Sequence, residues 1–202
     1  MKPVNLQFYI DASGTPPKTT FVGVIVSTPQ TIDKVLKALK KEKNLFSKKA
    51  HELKGEELFK VLSIMNEKDL KMFTTKFTHK NWEQTKETLG KKKNFKNKYM
   101  GYIYYQLIRQ QYLYKNFSYH VFTCSDDHLN INKVHKNCKL LAKADKTRLS
   151  FSIATANVND GVRLADYVAQ ALRKNRRKKL QKLNNLKCIK IEKDKRLLKK
   201  II

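Results

Sequence analysis

The stretch NLQFYIDASGTPPKTTFVGVIVS, residues 5–27, decides the fold. Asn5 to Ile10 predicts a strand, and the residues from Asp11 to Pro17 supply an acid followed by turn formers. Thr19 to Ser27 predicts a second strand, which is β-branched and apolar on both faces, as central strands are. We therefore expect a hairpin at the start of a larger sheet.

Helical and strand patterns alternate along the rest of the chain. Helices are predicted after Thr28 and after Gly55, and over Tyr99 to Tyr114, Val134 to Lys143 and Asp160 to Arg173. Three more strands are predicted over Lys71 to Lys80, Tyr119 to Cys124 and Arg148 to Thr155. This order predicts one α/β domain over residues 1–174, followed by a basic C-terminal extension over residues 175–202.

The charge of the chain indicates a polyanionic partner. The 202 residues include 44 Lys and Arg against 17 Asp and Glu, so the net charge is 44 − 17 = +27. Hydrophobic residues make up 41%, which is enough for a packed core and excludes a wholly disordered basic tail. The cations cluster in the segments 40–54, 91–98 and 173–200. Nucleic acid is the partner that such clusters favour, because Lys and Arg bind its phosphates.

Several classes of protein are disfavoured. The longest apolar run, Phe21 to Val26, is far too short to span a bilayer, and the N-terminus has no apolar signal region, so we expect a cytoplasmic protein with no membrane partner. The three cysteines form no Cys-x-x-Cys pair, which argues against a zinc ribbon or a disulfide framework. No glycine-rich phosphate loop is present, so no nucleotide cofactor is expected.

Acids at strand ends are conspicuous in so basic a chain. Asp11 follows one predicted strand, Asp126 and Asp127 follow another, and Asp166 lies within an apolar helical face. Each has a purely structural explanation as well, since Asp11 could form a turn and Asp126 a helix cap. Carboxylates that converge would instead favour Mg²⁺ or Mn²⁺, and two such ions about 4 Å apart can hydrolyse a phosphodiester.

Four short motifs resemble a widespread prokaryotic family that has a ribonuclease H-like fold and is classified as a domain of unknown function. The resemblance runs in order from Leu6 to Arg173. Its motifs are Asp11-Ala12-Ser13-Gly14, Glu52-Leu53-Lys54-Gly55, a strand that ends near Asp126, and Leu164-Ala165-Asp166-Tyr167-Val168-Ala169.

The resemblance implies a mixed five-stranded sheet flanked by helices, with an acidic metal site. By this resemblance Asp11, Glu52, Asp126 and Asp166 are the catalytic metal ligands. Glu52 would hold the metal or orient water, and Lys54 would be a phosphate or orienting contact. The chain departs from the family at Ala12, where the family has a second acid. Asp127 competes with Asp126 for the third position, and strand alternation sends the two to opposite faces.

The sequence therefore predicts a metal-dependent nuclease that uses Mg²⁺ or Mn²⁺ and favours RNA over DNA. Two alternatives stay open: a catalytically silent nucleic-acid-binding module, which Ala12 favours, and a ribonucleoprotein component that binds RNA through its basic C-terminal arm. The predicted nucleic-acid-binding residues are Lys54, Lys91, Lys92, Lys93, Arg173, Arg176, Arg177, Lys178 and Lys179.

Overall fold

The computed structural model describes residues 6–14, 18–46, 48–89, 95–110, 118–124, 129–175, 177–191 and 194–201. The strands are β1 (Gln7–Ser13), β2 (Thr20–Ser27), β3 (Lys71–Phe77), β4 (Ser118–Thr123), β5 (Arg148–Ile153) and β6 (Leu186–Cys188). The helices are α1 (Pro29–Lys40), α2 (Lys43–Phe46), α3 (Gly55–Glu67), α4 (His79–Leu89), α5 (Phe95–Arg109), α6 (Ile131–Ala144), α7 (Asp160–Lys174), α8 (Arg177–Leu180) and α9 (Lys195–Lys199). In these ranges no helix is both long and apolar enough to cross a membrane.

The strands form one mixed sheet in the order β5-β4-β1-β2-β3-β6. The predicted hairpin is confirmed, because β1 and β2 pair antiparallel from Gln7↔Ser27 to Ser13↔Phe21. β3 continues antiparallel to β2, whereas β4 is parallel to β1 and β5 is parallel to β4. All eight residues of β2 are buried, as the apolar pattern on both its faces predicted.

The predicted count of five strands is wrong, since the described residues form six. The sixth strand, β6, forms one edge of the sheet, runs parallel to β3 and pairs Leu186 with Met72 and Cys188 with Thr74. It has three residues and lies among lysines, so no alternating pattern marks it in the sequence. It belongs to the segment 175–202, which also contributes Leu197, Leu198 and Ile201 to the core.

Helices cover both faces of the sheet, and neighbouring residues of β1 show how the two faces divide. Phe8 and Ile10 pack in the cluster that includes residues of α5 and α6, whereas Tyr9 packs in the cluster that includes residues of α1, α3 and α7. Asp11 continues this alternation and points toward the α7 face. The face of the sheet that holds α7, the helix of Asp166, is therefore the one that receives Asp11.

Helix α7 lies unusually close to the sheet because β2 has a glycine beneath it. A Cβ atom at Gly23 would lie 2.3 Å from the backbone nitrogen of Ala169 and 2.4 Å from the carbonyl oxygen of Ala165. Gly23 pairs with Asp11 in the neighbouring strand. The close approach therefore brings the middle of α7 over the end of β1.

Candidate active site

Two of the predicted acids, Asp11 and Asp166, meet between β1 and α7. Asp11 is only 8% exposed, and a side-chain hydrogen bond joins its carboxyl group to that of Asp166. Two carboxyl groups in contact cannot both be ionised without strong repulsion. The pair therefore holds a proton or a cation between its oxygens.

Burial raises the pKa of both groups. The pKa of Asp11 lies well above its usual range, first because of burial and then because of the negative charge of Asp166. Burial also raises the pKa of Asp166, but hydrogen bonds from Asp11, from the Ala50 backbone and from Gln170, together with the nearby charge of His51, favour its ionised form. Asp11 is therefore the partner that keeps the shared proton when no cation is bound.

Cys124 is a neighbour of this pair that the sequence analysis missed. It follows β4 directly, and its backbone N–H donates to the Ile10 carbonyl oxygen at 3.1 Å. Its thiol hydrogen-bonds the Asp11 carboxyl group, and burial together with Asp11 raises the thiol pKa to about 12. The thiol therefore stays protonated and acts as a hydrogen-bond donor to Asp11. Its position at a strand end was the available signal.

Gln170 is the second missed neighbour, one helical turn after Asp166. Its Nε2 donates to the Ser13 hydroxyl at 2.6 Å, and its side chain also hydrogen-bonds Asp166. Gln170 is 3% exposed, and its Oε1 has no hydrogen-bond partner among the described residues. A buried oxygen without a donor is costly, so a further ligand at this place would relieve it. The spacing of four residues from Asp166 was the signal in the sequence.

The segment 48–54 is fastened to α7 beside the acid pair. The Lys174 ammonium group donates to the carbonyl oxygens of Ala50 at 3.2 Å and of His51 at 2.6 Å, and also to that of Leu53. The Tyr167 hydroxyl donates to the Lys48 carbonyl oxygen at 3.0 Å. These bonds hold the segment that contains the Glu-Leu-Lys-Gly motif against the helix that contains Asp166.

The other two predicted acids do not add to the pair in the described structure. The Glu52 carboxylate accepts the Lys49 backbone N–H at 2.9 Å, and its side chain is 48% exposed, so it faces its own segment. Asp126, like its competitor Asp127, lies outside the described residues. Within the ranges that the structure describes, no group of three or more His, Cys, Asp or Glu side chains is arranged to hold a metal ion.

An open cleft of about 340 Å³ leads to Asp166. Lys49 and Arg163 stand at its sides, and Ala156 and Asn157 also line it. The Arg163 guanidinium group lies 4.3 Å from the centre of the Phe46 ring and donates to the Phe46 carbonyl oxygen. The cleft thus gives a ligand access to Asp166 beside two cationic side chains.

The predicted nucleic-acid-binding residues differ in their exposure and in the partners that they already have. Lys54, Arg173 and Lys178 are exposed, whereas the Lys179 ammonium group pairs with Glu56 at 2.5 Å and lies 4.6 Å from the Phe59 ring centre. Arg177 is exposed and donates from Nη2 to the Cys188 carbonyl oxygen at 3.2 Å. The predicted contacts that fall outside the described residues are Lys91, Lys92, Lys93 and Arg176.

The donor chemistry of the pair fits a hard divalent cation. Carboxylate oxygens are the ligands that Mg²⁺ and Mn²⁺ prefer, and a divalent charge would replace the proton that Asp11 and Asp166 share. The unpaired Oε1 of Gln170 is a further oxygen donor close by. Of the four acids predicted as ligands, the structure brings Asp11 and Asp166 into contact.

Comparison with known proteins shows the fold. No family model matches the chain, and no curated protein matches it. Among solved structures it is similar to the ribonuclease H2 from Pyrococcus horikoshii OT3, with a TM-score of 0.57 and 14% sequence identity, over 89% of this chain and 77% of that one. The chain therefore has a ribonuclease H-like α/β fold, with a six-stranded mixed sheet flanked by helices.

Proposed function

We propose that this protein is a metal-dependent nuclease that hydrolyses phosphodiester bonds, with RNA favoured over DNA. The observation that carries the proposal is the buried Asp11–Asp166 carboxyl pair, at the end of β1 and under α7 of a ribonuclease H-like fold. Burying two carboxyl groups in contact costs free energy, and a bound cation is the simplest way to offset that cost.

In this proposal Asp11 and Asp166 hold Mg²⁺ or Mn²⁺, and Glu52 and Asp126 complete the set. The bound metal supplies activation of water and stabilisation of the leaving oxygen. Cys124 and Gln170 orient the two carboxyl groups, because each hydrogen-bonds one of them, Cys124 from a half-buried position and Gln170 from a buried one. Lys49 and Arg163, at the sides of the cleft, face the negative charge of an approaching phosphate.

A second candidate function is a nucleic-acid-binding module without catalysis. Two observations favour it: Ala12 stands where the similar family has an acid, and the Glu52 carboxylate is bonded to its own segment. A ribonucleoprotein component is a form of this alternative, in which the basic segment 175–202 supplies the RNA contacts. The net charge of +27 is expected for each of these functions, since all of them bind nucleic acid. Only a test of catalysis therefore distinguishes the nuclease from the others.

The deciding experiment incubates the full chain with labelled RNA, DNA and RNA–DNA hybrid, in Mg²⁺, in Mn²⁺ and in EDTA. We expect metal-dependent cleavage that Asp11→Asn and Asp166→Asn each reduce by ~100-fold or more, since even the residues behind metal ligands affect activity by 10–100-fold. Asp160→Asn is the matched control, because Asp160 is an exposed acid on the same helix as Asp166.

The binding module predicts a different outcome. It gives tight, salt-sensitive binding with no cleavage in any metal, and Asp11→Asn then leaves the affinity intact or raises it by removing negative charge. That result would leave the silent module as the function of this fold.

A further inference from the structure

A second cleft lies where α7 ends beside β3 and β6, and the proposed chemistry does not use it. Its volume is about 320 Å³. Three cationic side chains and one amide line it, together with the apolar side chains of Leu172 and Ile189. The cations are Lys76, Arg177 and Lys190, and the amide is that of Asn175.

Asn175 gives this cleft an unused hydrogen-bond donor. The residue follows α7, and its backbone N–H donates to the Ala171 carbonyl oxygen at 3.0 Å. Its side-chain Nδ2 is shielded from solvent and has no hydrogen-bond partner among the described residues. A shielded N–H group without an acceptor is unfavourable, and rotation of the Asn175 side chain toward an anionic oxygen in the cleft would satisfy it.

The cations of the cleft are not neutralised by its lining. No carboxylate is among the described residues that line it. The Lys76 ammonium group lies 5.6 Å from the centre of the Phe21 ring, which leaves its charge intact. Arg177 donates one Nη2 bond to the Cys188 carbonyl oxygen at 3.2 Å, and a guanidinium group has further N–H donors. Two ammonium groups, a guanidinium group and an amide form a donor set that suits a phosphate.

The cleft lies at the same end of the strands and on the same face of the sheet as the acid pair. Lys76 pairs with Phe21 in β2, and Phe21 pairs with Ser13, which is two residues beyond Asp11. Two strand spacings and two residues of rise separate Asp11 from Lys76, which is on the order of 12 Å. A few nucleotides of a single strand span this separation. A strand whose reacting phosphate is at Asp11 therefore has a neighbouring phosphate near the cleft.

We propose that this cleft binds an internal phosphodiester of the nucleic-acid strand whose reacting phosphate lies at Asp11 and Asp166. The inference rests on the proposed function, and it adds a subsite that sets where the strand enters. Asn175 donates a neutral hydrogen bond to a phosphate oxygen, while Lys76, Arg177 and Lys190 supply charge. The cleft thereby selects for the polymer, since a lone phosphodiester does not reach both places.

The test measures binding of a short RNA with a 5′-hydroxyl end to the full chain in EDTA, where no cleavage occurs. The variants are Asn175→Ala and the pair Lys76→Gln/Lys190→Gln. The matched control is Lys143→Gln/Arg148→Gln, which removes the same two charges from a basic cleft at the opposite edge of the sheet. Thermal unfolding confirms that each variant is folded.

We expect the two subsite variants to weaken binding in different ways. The lysine pair lowers the affinity about tenfold and reduces the steepness of its dependence on log salt by ~0.7 for each phosphate that the protein no longer neutralises. Asn175→Ala lowers the affinity by roughly threefold to tenfold and leaves that dependence unchanged, because it removes a donor and no charge. The control stays within about twofold of the wild type.

Two results would overturn the inference. The first is that both subsite variants bind like the control. The second is that the cleft proves to bind a free or terminal phosphate. This would follow if the variants lost affinity only for RNA with a 5′-phosphate, or if inorganic phosphate competed as well as the polymer. Cleavage assays in Mg²⁺ separate the proposals. Cleavage with unaffected subsite variants removes this inference alone, whereas weakened binding without any cleavage removes the nuclease and leaves the cleft as a phosphate site for a strand that is bound and not cut.

Discussion

Asp11 shows how a single residue acquires its chemistry from its surroundings. An aspartate at the end of a strand is ordinarily ionised at neutral pH. Here burial and the negative charge of Asp166 raise its pKa well above the usual range, although the hydrogen bond from the Cys124 thiol acts in the opposite direction. In the absence of a cation the fold is therefore stabilised by protonation at this point.

This raised pKa gives a dependence of stability on pH. A carboxyl group whose pKa is higher in the folded state contributes full stability below its unfolded pKa, and the contribution is lost as the pH rises through the folded pKa. Asp11→Asn removes that loss. In EDTA we expect the variant to be more stable than the wild type by roughly 1–3 kcal/mol at about pH 8, and the difference to disappear near pH 4. Urea unfolding at both pH values measures it.

Asp160→Asn is the control for this measurement, because Asp160 is exposed at the start of α7. Added Mg²⁺ should stabilise the wild type more than Asp11→Asn, since only the wild type offers both carboxylates. An Asp11→Asn curve parallel to that of the wild type from pH 4 to pH 8 would contradict the assignment of a shared proton to this pair.

At the scale of elements, the site depends on how closely α7 approaches the sheet. Asp166 and Gln170 reach the end of β1 because Gly23 leaves room for the α7 backbone. The atoms that a new Cβ would meet belong to the backbone of Ala165, Val168 and Ala169, so no side-chain rotation relieves the clash. The distance between α7 and the sheet is thus determined by a glycine of β2 and not by a residue of α7.

We expect Gly23→Ala to destabilise the protein by ~1–3 kcal/mol, the usual cost of overpacking, because α7 must move away from β2. The same displacement separates Asp166 from Asp11, so metal-dependent cleavage should fall together with stability. Urea unfolding and the cleavage assay measure the two effects. An unfolding free energy within about 0.5 kcal/mol of the wild type would show that α7 adapts to the added methyl group.

The sequence predicted those elements whose pattern is local. The hairpin follows from β-branched runs around turn residues, and α7 follows from apolar residues at helical spacing. β6 was not predictable in this way, because three residues do not display a period. Its pairing with β3 is decided by burial at long range, which the sequence pattern does not report.

The residues of the candidate site also differ in how far the sequence predicts them. Asp11 and Asp166 stand out in the sequence because acids are costly in apolar surroundings. Cys124 and Gln170 contact them through tertiary structure, and their only signals in the sequence are a position at a strand end and a spacing of four residues from Asp166. Glu52 shows the opposite case, in which a conspicuous motif residue uses its carboxylate for a local bond to Lys49.

At the scale of the whole molecule, the basic C-terminal segment is also structural. Leu186 in β6 joins the core beside β3, and Leu180 and Leu183 are buried just before it. Leu197 and Leu198 of α9 pack on the other face of the sheet. A change in this segment that is designed to remove charge therefore has to spare its leucines.

A chain that ends at Asn175 should be less stable by roughly 5 kcal/mol or more, since each of these leucines contributes about 1.5–3 kcal/mol when fully buried. Lys178→Gln, which changes an exposed cation of the same segment, should leave stability within about 0.5 kcal/mol of the wild type. Urea unfolding compares the two. If the shortened chain unfolds at the same urea concentration as the full chain, the packing of this segment contributes nothing to the fold.

The short strand β6 also has a consequence for how copies of the chain behave toward one another. It covers the outer edge of β3, where Ile189 N–H continues the pairing by donating to the Thr74 carbonyl oxygen at 2.8 Å. Loss of β6 after a cut between α8 and β6 would leave the residues Met72 to Thr74 with unpaired backbone groups along the outer edge of β3. Such an edge recruits strands from neighbouring molecules. Proteolysis that removes β6 should therefore make the protein self-associate increasingly as its concentration rises.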